Sequence, residues 1–220
     1  MIQQLAASGI TKSFGSKILL NDISLAIQTG EILALFGSNG TGKSTLLKVL
    51  FGVIKAPKFN LSLNNQHITI QDVIPKQIIG YLPQMPFIPK SLKVRDVIPL
   101  YYKGDTQDKI FYAPGIQRFT NKSVSQLSMG ELRYFECLLI GNLNHPFLIL
   151  DEPFSMIEPL YKEKIKEFLF SIQPAKGIII TDHYYKDVLS VSTKNVLLKN
   201  GLLAEVATEQ ELVTYGYITN

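Results

Sequence analysis

Gly37-Ser-Asn-Gly-Thr-Gly-Lys-Ser44 satisfies the pattern GxxxxGK[ST] at every constrained position. Its glycines permit positive φ and close backbone approach, so successive N–H groups and the start of a following helix can surround an anion. In such a loop Lys43 serves the β- and γ-phosphates, and the Ser44 hydroxyl serves Mg²⁺. Two further stretches carry chemistry. Phe147-Leu-Ile-Leu-Asp-Glu-Pro153 is an apolar run that ends in two carboxylates. Asp151 suits the Mg²⁺ side of a triphosphate and Glu152 suits the water that attacks the γ-phosphate; the alternative is an ordinary charged turn before a proline. Gly177-Ile-Ile-Ile-Thr-Asp-His183 is built alike and sets an imidazole just past a buried run.

The elements that must position these residues are legible around them. Glu31–Phe36 reads as a buried parallel strand, and Ser44–Phe51 has helical spacing that Gly52 and Pro57 stop. Strand, glycine loop, helix is the order that the chemistry needs. Ile2–Phe14 and Ile18–Ile27 read as strands around the turn Phe14–Lys17. Phe59–Leu63 and Ile78–Leu82 read as further strands, with Asn64-Asn65 as a turn. From residue 90 to 144 the texture becomes helical, over Val94–Tyr102 and Met129–Asn142, with Gly130 expected to open the second run. Strand and helix then alternate: Phe147–Leu150, Tyr161–Ile172, Gly177–Thr181 and Tyr184–Ser190. Asn200-Gly201 marks a hairpin, and Glu209–Tyr215 a closing helix.

The expected fold is α/β, a P-loop NTPase core with a mostly parallel sheet, an N-terminal antiparallel β section and a small helical insertion. Residues 1–220 are expected to form one domain, with 1–89 and 145–220 as the α/β core and about 90–144 as the helical part. Ligands in such sheets sit at the carboxyl ends of strands. The strand that ends at Asp151 is expected beside the loop strand.

Hydrophobic residues make up 46% and the mean hydropathy is +0.14, which prompts a search for membrane spans. The longest apolar runs fall far short of the ~20 residues a spanning helix needs. The first residues also lack a basic region followed by a signal-type apolar core. With one cysteine, Cys137, placed among Leu138, Leu139 and Ile140, the chain is expected to be cytoplasmic with that thiol in the core. His67, His145 and His183 are dispersed, which gives no transition-metal cluster. The net charge of +4 permits a nucleic-acid partner without requiring one. The basic residues are scattered, and Lys162, Lys164 and Lys166 alternate with Glu163 and Glu167 as on a solvated helix face. No direct nucleic-acid binding is expected.

Gly37–Ser44, Pro83-Gln84, Leu127-Ser-Met-Gly-Glu131, Leu148–Pro153 and Thr181-Asp-His183 follow one another in the order and at roughly the spacing of the ATP-binding cassette (ABC) ATPases. Together they resemble the nucleotide-binding subunit of ABC transporters over nearly the whole chain. The resemblance implies ATP and Mg²⁺ as cofactors, with Gly37, Ser38, Asn39, Gly40, Thr41, Gly42, Lys43, Ser44 and Thr45 around the phosphates. It implies that Gln84 contacts Mg²⁺ and water, and that Ser128 and Gly130 reach the γ-phosphate held by an opposite subunit. By the same resemblance His183 holds the γ-phosphate and water, and Phe14 stacks on adenine; a core phenylalanine is the alternative for Phe14.

Met129, Glu131 and Glu158 depart from the family's usual Gly, Gln and Asp. The 37 residues after His183 are expected to hold no regulatory domain. The function implied is an ATP-binding and ATP-hydrolysing transporter subunit at the cytoplasmic face of a membrane. It would work as a dimer with ATP at the interface and through a separate transmembrane permease. Two alternatives stand beside it. One is a soluble cassette ATPase in a cofactor-building or nucleic-acid assembly, and the other is a nucleotide-dependent scaffold with little hydrolysis.

Overall fold

The structure is a computed structural model that describes residues 2–57 and 59–218. Strands β1 (Gln4–Phe14) and β2 (Lys17–Gln28) form an antiparallel ribbon that closes where Phe14 pairs with Lys17. Strand β3 (Ile32–Phe36) is buried throughout and leads through the glycine loop to helix α1 (Lys43–Phe51). Strands β4 (Asn60–Leu63) and β5 (Gln66–Ile68) join through Asn64 and Asn65, at φ +52° and +62°. That turn was legible, but its return strand was not: Gln66-His67-Ile68 is too short to show a period.

Strand β6 (Ile79–Leu82) precedes helices α2 (Val94–Tyr101), α3 (Asp108–Phe111) and α4 (Met129–Gly141). Then come β7 (Phe147–Asp151), α5 (Pro159–Ile172), β8 (Gly177–Thr181) and α6 (Tyr185–Leu189). The hairpin of β9 (Lys194–Lys199) and β10 (Leu202–Glu205) and helix α7 (Glu209–Thr214) complete the order.

The strands make two sheets, β2-β1-β4-β5, which is antiparallel, and β10-β9-β3-β8-β7-β6, which is parallel except at the β9–β10 hairpin. The strand beside β3 is not the one expected from the sequence. β7 does not lie beside β3, because β8 runs between them and pairs with both. Asp151 still reaches the loop because α1 packs across β6 and β7, bringing Ser44 of its first turn to the end of β7.

Side chains alternate across the parallel sheet, as a strand's period of two requires. Ile32, Ala34, Phe36, Leu148, Leu150, Ile178 and Ile180 join the apolar cluster that includes α4, α5 and the helical stretch from α2. Leu33, Leu35, Phe147, Ile149 and Ile179 face the cluster of α1 and the antiparallel sheet. Both faces are covered, which explains why these strands read as continuous apolar runs. Cys137 is buried in the first cluster, and burial pushes its thiol up to about 12.

The lysines of α5 need a second correction. Lys162 and Lys166 each meet Asp187 of α6 at 2.8 Å, and the Lys162 ammonium lies 3.3 Å from the centroid of the Tyr184 ring. The face is pinned to α6 rather than freely solvated, since α6 folds back onto the α5 turn that carries the i, i+4 pair. Among the described residues no helix is long and apolar enough to cross a membrane.

Candidate active site

The glycine loop begins at the carboxyl end of β3 and ends as the cap of α1. Gly37 and Gly42 lie at φ +153° and +108°. A Cβ on Gly37 would come 2.7 Å from Leu198 O, and one on Gly42 would come 2.8 Å from Leu19 Cγ, so both positions exclude larger residues. The Lys43 ammonium donates to Gly37 O at 2.6 Å and to Ser38 O at 3.2 Å, folded into the loop it serves. Burial lowers its pKa, against the attraction of Glu152, Asp151 and Asp182.

The carboxylates complete the site from the ends of neighbouring strands. Ser44 Oγ donates to Asp151 Oδ1 at 3.1 Å, and the Tyr81 phenol donates to Asp151 Oδ2 at 2.9 Å. Asp151 is fully buried, and that burial raises its carboxyl above the ordinary range despite both bonds. Glu152 has φ +57°, a left-handed backbone held by its N–H bond to Thr181 O at 2.8 Å. Gln84 Nε2 donates to Glu152 Oε2 at 2.9 Å, and His183 Nε2 lies 2.9 Å from Glu152 Oε1. Asp182 accepts from Phe154 N, Ser155 Oγ and Tyr184 N, which ties the two strand ends together just behind the site.

A cleft of about 370 Å³ gathers Asn39, Gly40, Gly42, Lys43, Ser44, Thr45, Gln84, Glu152 and His183, with Leu19 as an apolar wall. Phe14 is not in its lining. It stands 54% exposed, with the Lys12 ammonium 5.0 Å from its ring centroid, so the core alternative is excluded. A larger groove of about 680 Å³ along β2, β9 and β10 contains none of these residues.

Ser128 and Gly130 also lie outside the cleft lining. Helix α4 starts one residue before Gly130, at Met129, and Ser128 caps it. Ser128 Oγ accepts from Glu131 N at 3.1 Å, while Glu131 Oε2 accepts from Ser128 N at 2.9 Å, a reciprocal capping box that explains the acid at 131. Gly130 is pressed against Glu158 and Tyr161. Met129 is half exposed.

Two residues of the site escaped sequence reasoning. Tyr81 is one. The other is Arg133, which is buried and donates to Pro83 O at 2.6 Å, Asp151 O at 2.5 Å and Glu152 O at 3.1 Å. It pins α4 to the turn before Gln84 and to the end of β7. The signal available for it was an Arg133–Glu136 pair at i, i+3 in the largely apolar interior of that helix.

The oxygens of Ser44 and Asp151 form a hard-donor pair that fits Mg²⁺, which commonly takes one or two carboxylate contacts and completes its shell with water and substrate phosphate. Among the described residues no group of three His, Cys, Asp or Glu side chains could hold a metal by itself.

The family model described as ABC transporter matches residues 20–155, from β2 through the glycine loop, Gln84, Ser128 and Glu152. The lipopolysaccharide export system ATP-binding protein LptB of Escherichia coli K12 is 27% identical over 222 residues, 95% of this chain and 92% of that protein. LptB of Acidithiobacillus ferridurans is 25% identical over 225 residues, 97% and 93% of the respective chains. A solved ATP-binding cassette of an ABC transporter in its ADP conformation superimposes with a TM-score of 0.80 at 22% identity, over 96% of this chain and 94% of that one. With the family match spanning more than half of its length and the phosphate loop and paired carboxylates inside it, the chain belongs to the ABC transporter family as an ATP-binding subunit.

Proposed function

We propose that this chain hydrolyses ATP to ADP and phosphate with Mg²⁺, as one cassette made of core residues 1–89 and 145–220 and a helical part at about 90–144. The observation that carries the reading is the meeting of Lys43, Ser44, Gln84, Glu152 and His183 in one cleft. Ser44, Asp151 and Gln84 would hold the metal, which when bound neutralises charge on the β- and γ-phosphates. Residues 37–45 surround the phosphates. Lys43 gives up its carbonyl partners for phosphate oxygens, and Phe14 offers an exposed ring to adenine. Glu152, oriented by Gln84 and His183, polarises the attacking water, while His183 supplies a donor toward the γ-phosphate.

Ser128 and Gly130 lie outside this cleft, which supports a head-to-tail pair in which the signature turn of one copy closes the site of the other. The pair would sit at the cytoplasmic face of a membrane and drive a separate transmembrane permease. Phosphate release from ATP tests the reaction. We expect turnover with Mg²⁺ and its loss in EDTA; undiminished turnover in EDTA contradicts the metal assignment.

A further inference from the structure

Tyr81 touches the site without having a role in it. It lies on β6, in register with Ile149 of β7. Ile149 faces the α1 side of the sheet, and Asp151, two residues on, shares that face. The phenol therefore reaches diagonally from one strand to the end of the next, and donates to Asp151 Oδ2 at 2.9 Å. Its ring is stacked on Phe51, with centroids 5.0 Å apart and planes at 21°. Phe51 is the last residue of α1, the helix whose first turn holds Ser44. Each oxygen of the fully buried Asp151 thus has one hydroxyl donor, Ser44 on Oδ1 and Tyr81 on Oδ2. Ser44 is itself assigned to the cation, so Tyr81 is the donor left to fix the carboxylate.

We propose that Tyr81 is a positioning residue for divalent-cation binding, holding the Asp151 carboxylate toward Ser44 through a phenol braced on Phe51. The inference rests on the reading of Asp151 as a metal ligand. Groups that orient a ligating carboxylate commonly change metal affinity 10–100-fold when lost. Gln84 follows two residues after the end of β6, so one segment carries both Tyr81 and one of the proposed metal contacts.

Tyr81→Phe keeps the stacked ring and removes only the O–H. Mn²⁺ titrated into the ADP-loaded protein and followed by electron paramagnetic resonance should bind about tenfold more weakly to Tyr81→Phe than to wild type. ADP affinity in EDTA should be unchanged, a split that a general loss of packing would not give. Asp151→Asn is the reference and should lose more Mn²⁺ affinity than Tyr81→Phe. Wild-type Mn²⁺ affinity in Tyr81→Phe alongside a weakened Asp151→Asn overturns the role of Tyr81 alone. Wild-type affinity in Asp151→Asn overturns the underlying metal assignment. Equal weakening of ADP in EDTA and of Mn²⁺ in Tyr81→Phe overturns positioning in favour of packing.

Discussion

Asp151 is pulled two ways: the proposed metal contact requires a charge, and its place excludes water. Burial raises its carboxyl above the ordinary range, and the donors Tyr81 and Ser44 recover only part of the loss. A raised native pKa means that the folded chain binds more protons than the unfolded one between the two values, so stability falls as pH rises through that window. The cost is absent below the unfolded value and grows as pH rises from there to the raised folded value. We expect Asp151→Asn to melt at a higher temperature than wild type at neutral pH, with the gain shrinking in mild acid, a stability–function trade of a familiar kind. A lower melting temperature at neutral pH contradicts this. At this scale, legibility followed distance along the chain. Lys43, Ser44 and Glu152 sit at fixed offsets in local strings and could be read with their chemistry. The bond from Tyr81 to Asp151 spans 70 residues and that from Arg133 to Asp151 spans 18, so neither leaves a local pattern. The left-handed backbone at Glu152 was equally invisible, since it depends on Thr181 of the neighbouring strand.

Helix α4 joins the end of β7 to the turn at Ser128. Its first turn is capped by Ser128, its second carries Arg133 to β7, and its side is laid against α5 at Gly130 and Gly141. A Cβ on Gly130 would come 2.5 Å from Tyr161 Cδ2 and would also strike the Glu158 carboxylate. Gly130 therefore has a packing duty independent of any nucleotide. We expect Gly130→Ala to cost roughly 1–3 kcal/mol through overpacking, lowering the melting temperature by several degrees without nucleotide present. An unchanged melting temperature would show that α5 yields freely. The central elements were legible because both faces of the parallel sheet are covered and β3, β7 and β8 are bounded by glycine, proline or charged residues. Strand order was not: nothing in the apolar runs of β7 and β8 says which of them lies beside β3.

Across the whole molecule, the phosphate loop, the two carboxylates and His183 gather at the carboxyl ends of β3, β7 and β8, as open α/β sheets arrange their ligands. The turn at Ser128 lies outside that cleft, and under the proposed function it is the surface that closes the site of a second copy. Under the proposed function Glu152, held by Gln84 and His183, makes the difference between binding ATP and hydrolysing it. Glu152→Gln keeps the shape and removes the base. Phosphate release and light scattering after gel filtration in Mg²⁺-ATP measure both consequences together. We expect turnover to fall at least about 100-fold, with ATP binding retained and a dimer that outlives the wild-type one. Wild-type turnover in Glu152→Gln would contradict the assignment.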